Sequence, residues 1–263
     1  MQVSTNGILM EYELSGKEGA PVVMMSHSLG CNLALWAFQL EALEPHYRVL
    51  RYDTRGHGGS QATEGAYTLE QLGFDAISLL DALGVERVHW VGISMGGMIG
   101  QELALNHPDR ILSLSLCDTA AILPPEAQPL WQERIEAARA KGLKALVEAT
   151  LERWFTPAFL AKNSAQVEQI RGQFLATPVA GYIGCSEAIR GLNYLDRLPE
   201  IQIPTLIIVG EDDPGTPVAA SEAIQERIAG SRLVVLPKAA HLSNWEQSQA
   251  FNQALLDFLI YYV

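Results

Sequence analysis

The stretch VHWVGISMGG, Val88 to Gly97, decides the fold. Val88–Val91 reads as a strand. From Met95 the chain reads as a helix to Asn106, closed by His107-Pro108. Between strand and helix stands Gly92-Ile93-Ser94-Met95-Gly96, the pattern G-x-S-x-G. A sharp strand-to-helix turn leaves no room for Cβ atoms beside the serine, which is why glycines flank it. Such a turn raises the serine hydroxyl above the sheet, at the positive end of a helix dipole. A plain glycine-rich turn with a serine N-cap accounts less well for a strand immediately before and a helix immediately after.

Outward from this turn the chain alternates. Ile8–Leu14 follows an Asn6-Gly7 turn and reads as a strand. Pro21–Ser26, Tyr47–Tyr52 and Ile111–Leu116 read likewise. Helical spacing covers Leu33–Leu43 and Thr68–Leu83, the latter with Thr68 placed to cap it. From 121 to 198 there is no β-like run, only helical patterns at Trp131–Lys141, Leu143–Trp154, Val167–Ala176 and Tyr182–Leu192. Alternation then resumes with Thr205–Val209, Val218–Ile228, Leu233–Leu236 and a last helix from about Ser243 to Tyr261. This predicts a mostly parallel α/β sheet covered on both faces. Residues 1–120 and 199–263 form its core, and 121–198 are a helical cap inserted over the C-terminal edge of the strands, where open sheets place ligands.

A serine hydroxyl needs a base within hydrogen-bond reach. Of the six histidines, His241 is the candidate, because it follows the strand LVVLP in a loop on the same sheet edge as Ser94. His57, between glycines in RGHGGS, reads as a turn-stabilising group, and His27 as a structural ring beneath the site. Asp213, in GEDDPGTP after the strand TLIIV, is the expected orienting carboxylate. Asp118, after LSLSLC, is its rival. The order Ser94, Asp213, His241 is that of hydrolases built on this turn. An oxyanion hole takes two backbone N–H donors, here expected from Met95 and from Leu29 in the loop His27-Ser28-Leu29-Gly30.

These motifs together (HSLG, DTRGHGGS, GISMGG, GEDDPGTP and the C-terminal histidine loop) make the chain resemble an α/β-hydrolase along its whole length. The resemblance implies the α/β-hydrolase fold, with a mostly parallel eight-stranded sheet. Within the cap, WQERIEAAR, ERWFTPAF and GYIGCSEAIR are most similar to the 3-oxoadipate enol-lactonases of bacterial aromatic catabolism by the β-ketoadipate pathway. What that implies is a serine esterase that opens an enol-lactone without metal or organic cofactor. Ser28 stands where hydrolases of this fold more often have glycine after the histidine, and a serine at this position resembles the enol-lactonase group. Ala240 stands where glycine usually precedes the base. A haloalkane dehalogenase would carry Asp at position 94, so Ser94 speaks against that reaction. A broad carboxylesterase or cofactor-free perhydrolase (haloperoxidase) fits the same triad, and a slowly hydrolysing receptor of this fold is a third reading.

Charge and composition set limits on partners. The 263 residues are 48% hydrophobic and 18% charged, with a net charge of -12. That excludes an extended nucleic-acid footprint and disfavours anionic membrane surfaces. Cys31, Cys117 and Cys185 are scattered and odd in number, so neither a zinc knuckle nor a disulfide framework is expected. No signal peptide or spanning segment is read in the chain, and a cytoplasmic location is expected. A homo-oligomer stays open. The expected partner is a small lactone bearing a free carboxylate, which needs only one or two well-placed cations. Among the cap arginines, Arg134 and Arg153 are the candidates, each near a tryptophan (Trp131, Trp154) that could line the apolar part of a pocket. The competing reading pairs them with Glu133, Glu136 or Glu152 on the cap surface.

Overall fold

The computed structural model describes residues 1–162 and 164–262. Eight strands form one sheet: β1 (Gln2–Thr5), β2 (Ile8–Gly16), β3 (Val22–Ser26), β4 (Arg48–Tyr52), β5 (Val88–Ile93), β6 (Ile111–Cys117), β7 (Thr205–Gly210) and β8 (Arg232–Leu236). Their order is β1-β2-β4-β3-β5-β6-β7-β8. The β1–β2 and β2–β4 pairs are antiparallel and all later pairs parallel. Every residue of β5 and of β7 is buried, as strands sandwiched between helices must be. The helix after the G-x-S-x-G turn, α3 (Met95–Asn106), starts and ends where its sequence predicts. It lies tight on the sheet because its inner face is glycine. A Cβ on Gly97 would stand 2.7 Å from the Thr119 side chain, and one on Gly100 2.6 Å from Trp90 Nε1.

The remaining core helices are α1 (Ala37–Leu43), α2 (Leu69–Ala82), α9 (Val218–Gln225), α10 (Ser243–Glu246) and α11 (Ser248–Leu259). Thr68 caps α2 as expected, accepting from Gln71 N–H. Several boundaries differ from the sequence reading. β1 was not anticipated: QVST is four residues long and pairs on one side only. Leu33–Trp36 is a 3-10 turn before α1, and the single C-terminal helix is broken at Gln247, whose φ of -126° and ψ of 46° are non-helical.

Between β6 and β7 lie α4 (Gln128–Lys141), α5 (Val147–Trp154), α6 (Pro157–Lys162), α7 (Ser164–Ala176) and α8 (Val179–Arg190). α6 was missed; Pro157 opens it at the first helical position, where a missing N–H costs nothing. Instead of being wholly without β structure, the segment makes one isolated bridge, Ile122 to Asn193. α8 lies against the Asp53–Ser60 loop at backbone distance. A Cβ on Gly181 would collide with the Gly56 carbonyl, and one on Gly184 would stand 2.7 Å from the Tyr67 ring. Tyr67 N–H also donates to Gly184 O at 3.1 Å. No described helix is long and apolar enough to cross a membrane.

Candidate active site

Ser94 ends β5 and opens α3 with φ 55° and ψ -116°, outside the helical and strand regions. Such a backbone costs on the order of 1–3 kcal/mol and persists only where its surroundings enforce it. Here Ser94 N–H donates to Cys117 O at 2.8 Å, and Thr119 Oγ1 donates to Ser94 O at 2.7 Å. Gly92 and Gly96 leave the space that the turn requires: a Cβ on the first would meet Gly96 O, and on the second Ser26 O.

The loops after β7 and β8 bring Asp213 and His241 to this serine. His241 Nε2 lies 2.9 Å from Ser94 Oγ, and His241 Nδ1 lies 2.8 Å from Asp213 Oδ2. With its Nδ1–H turned to the carboxylate, the ring offers Nε2 as acceptor to the serine hydroxyl. Asp213 is itself held by Gly215 N–H at 2.7 Å, Thr216 N–H at 3.1 Å and Thr216 Oγ1 at 2.7 Å. Burial works against its charge, but the imidazole and these donors outweigh it and hold the carboxyl below its ordinary range. Burial likewise opposes an imidazolium at His241, and the charge and hydrogen bond of Asp213 outweigh it, so the ring titrates above its usual value.

Asp118 does not reach the histidine. A φ of 43° turns its carboxylate sideways, where it accepts from Gly210 N–H at 2.8 Å and Ser243 Oγ at 2.5 Å. Burial, with the charge of Asp213 second, pushes its carboxyl up to about 8. Leu29 N–H and Met95 N–H find no acceptor among the described residues, and Leu29 lines the same cavity as Ser94 and His241. The geometry therefore offers a nucleophile, an oriented base and two free donors.

The rings of His27 and His57 pack at a tilt of 52° with centroids 5.2 Å apart. His27 Nε2 accepts from Thr54 N–H and His57 Nε2 from Gly30 N–H, both at 2.9 Å, so each ring fixes a loop by staying neutral. Burial lowers His27 to about 3, with the neighbouring His57 adding to it, and lowers His57 to about 4. An unfolded histidine titrates near 6.5, so the unfolded chain takes up these protons first as pH falls. The stability they support is complete above about pH 6.5 and is lost as pH falls through about 4. We expect the urea midpoint to decline over that window. His57→Gln, whose Oε1 can still accept Gly30 N–H, should flatten the decline; an unchanged profile would contradict this role.

The cavity above Ser94 has a volume of about 490 Å³. Trp131, Arg134, Arg153, Trp154 and Tyr182, all from the cap, line it together with Ser94 and His241. The Arg134 guanidinium stands 5.0 Å from the centre of the Trp131 ring. Arg153 donates to Thr150 Oγ1 at 3.2 Å. Neither arginine meets a carboxylate among the described residues, so the surface pairing with Glu133, Glu136 or Glu152 is not found. Arg171 and Arg190, by contrast, pair with Glu148, Glu168 and Glu187. Burial depresses both lining guanidiniums, and for Arg153 the nearby charge of Arg134 adds to it, to about 10. Glu246, the last residue of α10, is not singled out by the sequence; it accepts from Thr156 and Ala240 beside the arginine segment and the histidine loop.

Residues 21–248 match the family described as alpha/beta hydrolase fold. The chain is 39% identical to 3-oxoadipate enol-lactonase 2 of Acinetobacter baylyi, with 96% of this chain and 94% of that protein covered. The enol-lactonase structure from Burkholderia xenovorans LB400 superimposes with a TM-score of 0.95 at 40% identity, covering 99% of this chain and 100% of the other. A thermophilic esterase from Thermogutta terrifontis, solved with malate bound, superimposes with a TM-score of 0.93 at 30% identity, covering 100% and 98%.

Proposed function

The chain belongs to the alpha/beta hydrolase family, and within it we propose that this protein opens 3-oxoadipate enol-lactone to 3-oxoadipate, as in aromatic catabolism by the β-ketoadipate pathway. The observation that carries this reading is the pair of arginines without acidic partners in the cavity of Ser94 and His241. Two half-buried cations that repel each other and form no ion pair among the described residues favour an anion between them, and a guanidinium suits a carboxylate. The enol-lactonase relatives and the esterase relative holding malate support a carboxylate-bearing ligand.

In the proposed reaction Ser94 Oγ attacks the lactone carbonyl while His241 Nε2 takes its proton. Asp213 keeps the ring in the required tautomer and stabilises the imidazolium. The oxyanion lies on Leu29 N–H and Met95 N–H. The ring C–O bond then breaks, and the enol oxygen takes the proton back from His241. The enol stays tethered to the acyl-enzyme, and its ketonisation makes closure unfavourable. Water deprotonated by His241 attacks the acyl carbon, Ser94 leaves with the proton, and the dicarboxylate departs. Trp131 and Trp154 flank the carbon chain while Arg134 and Arg153 take the carboxylate.

The test is loss of enol-lactone absorbance in the ultraviolet, with Arg134→Met and Arg153→Met beside the wild type. Each variant should raise KM for the lactone roughly 10–100-fold, the value of a charged hydrogen bond, and leave a neutral aryl ester within about twofold. Absence of lactone turnover by the wild type, or equal losses on both substrates, would overturn the reading. The broad carboxylesterase reading has its own support in Ile122 and Leu130, apolar cavity residues 37% and 48% exposed. It predicts a neutral ester turned over as well as the lactone.

A further inference from the structure

The cap and the histidine loop are joined at one side chain. Glu246, at the end of α10, accepts Thr156 N–H at 3.0 Å and Thr156 Oγ1–H at 2.6 Å through Oε1. Through Oε2 it accepts Ala240 N–H at 2.6 Å. Thr156 lies three residues beyond Arg153, just past the end of α5, and Ala240 immediately precedes His241. A fourth bond closes the joint: Leu242 N–H, on the other side of His241, donates to Trp154 O at 3.1 Å. The backbone on both sides of the histidine is thus tied to the segment that carries Arg153 and Trp154 into the cavity.

We propose that Glu246 is a positioning residue that sets the distance between the anion-binding arginine of the cap and the catalytic base. The proposal rests on the reading of Arg153 as a carboxylate ligand and deepens it. All three groups held by Glu246 are donors in this arrangement, so the site requires an acceptor with two oxygens. A glutamine keeps the shape but turns an NH2 group toward one of the two backbone N–H groups, and the joint must open at that end. With either end open the histidine loop and α5 lose their fixed spacing: His241 shifts, which every substrate feels, and so does its distance from Arg153, which only an anionic substrate feels.

The test uses two chromogenic esters: mono-4-nitrophenyl glutarate, an anion, and 4-nitrophenyl butyrate, its neutral counterpart. Glu246→Gln should lower kcat about tenfold on both, the cost of a lost charged hydrogen bond, and raise the ratio of anionic to neutral KM about tenfold. Thr156→Val removes the side-chain bond to Glu246 at the cap end, together with the one its Oγ1 accepts from Phe159 N–H, and leaves the Ala240 end intact. It should raise the KM ratio and leave kcat within about twofold. The proposal is overturned if Glu246→Gln lowers thermal stability and kcat with an unchanged KM ratio, which is what a merely structural glutamate would do. Should Glu246→Gln not fold, an unchanged KM ratio in Thr156→Val overturns it alone. An Arg153→Met variant on the same ester pair separates the two ideas. If its KM ratio is unchanged, the arginine reading fails, while the shared kcat loss of Glu246→Gln still reports the His241 end.

Discussion

Ser94→Ala is expected to lower kcat by roughly 10⁴–10⁶ on any ester that the protein hydrolyses, with KM little changed. The magnitude follows from what remains. Alanine keeps the cavity, the arginines and the two free donors of Leu29 and Met95, so substrate still binds and its carbonyl is still polarised. What disappears is the covalent route, leaving direct attack by water with His241 as its base. Oxyanion stabilisation and binding alone typically sustain about 10³–10⁴ over the uncatalysed reaction. The measurement is steady-state loss of lactone absorbance together with release of 4-nitrophenol from an aryl ester. In the wild type, rapid mixing with the aryl ester should show a burst of acyl-enzyme formation if deacylation is slow, and the variant should show none. Activity retained within about tenfold would mean that Ser94 is not the nucleophile, however close it stands to His241.

The turn around Ser94 was legible because its chemistry is local: neighbouring glycines leave room that no other residue leaves, and the strand and helix flank it in sequence. His241 was legible for a topological reason, since a loop following a parallel strand emerges on the same sheet edge. The choice between Asp118 and Asp213 was not settled at that level. Both follow adjacent parallel strands, β6 and β7, and each could have faced the imidazole. What separates them is where each carboxylate is held: that of Asp118 by Gly210 N–H and Ser243 Oγ, that of Asp213 against His241 Nδ1. The cap arginines were ambiguous for a similar reason. Arg134 and Arg153 have acidic neighbours in sequence just as Arg190 does, and only tertiary placement turns them from those acids into the cavity. Glu246 left no sequence signal, because two of its three donors come from Thr156, 90 residues away, and two of the three are backbone amides.

The two aspartates give the second large expected effect. Asp213→Asn should cut kcat by about 10⁴, because an amide NH2 facing Nδ1 favours the tautomer whose Nε2 carries the proton and cannot accept one from Ser94. It should also move the acid limb of the kcat/KM profile. His241 must be neutral to act as base, and against the opposing effect of burial it is held above its ordinary value chiefly by the charge and hydrogen bond of Asp213. Removing that charge lowers the imidazole, so the residual activity should persist to lower pH than in the wild type. Asp118→Asn should behave differently. With its carboxyl pushed up to about 8, Asp118 is mostly protonated at neutral pH, and an amide is then close to an isostere. The asparagine oxygen can accept Gly210 N–H, and its NH2 can donate to Ser243 Oγ. The loss should be about tenfold or less. Its acid limb should stay close to that of the wild type, because a protonated Asp118 places no charge beside His241 over that range. Parallel pH profiles of the three proteins on one neutral ester decide the matter. An Asp118→Asn loss as large as that of Asp213→Asn would move the orienting role to Asp118, whereas a small loss there beside a large one at Asp213 assigns it to the carboxylate that touches the ring.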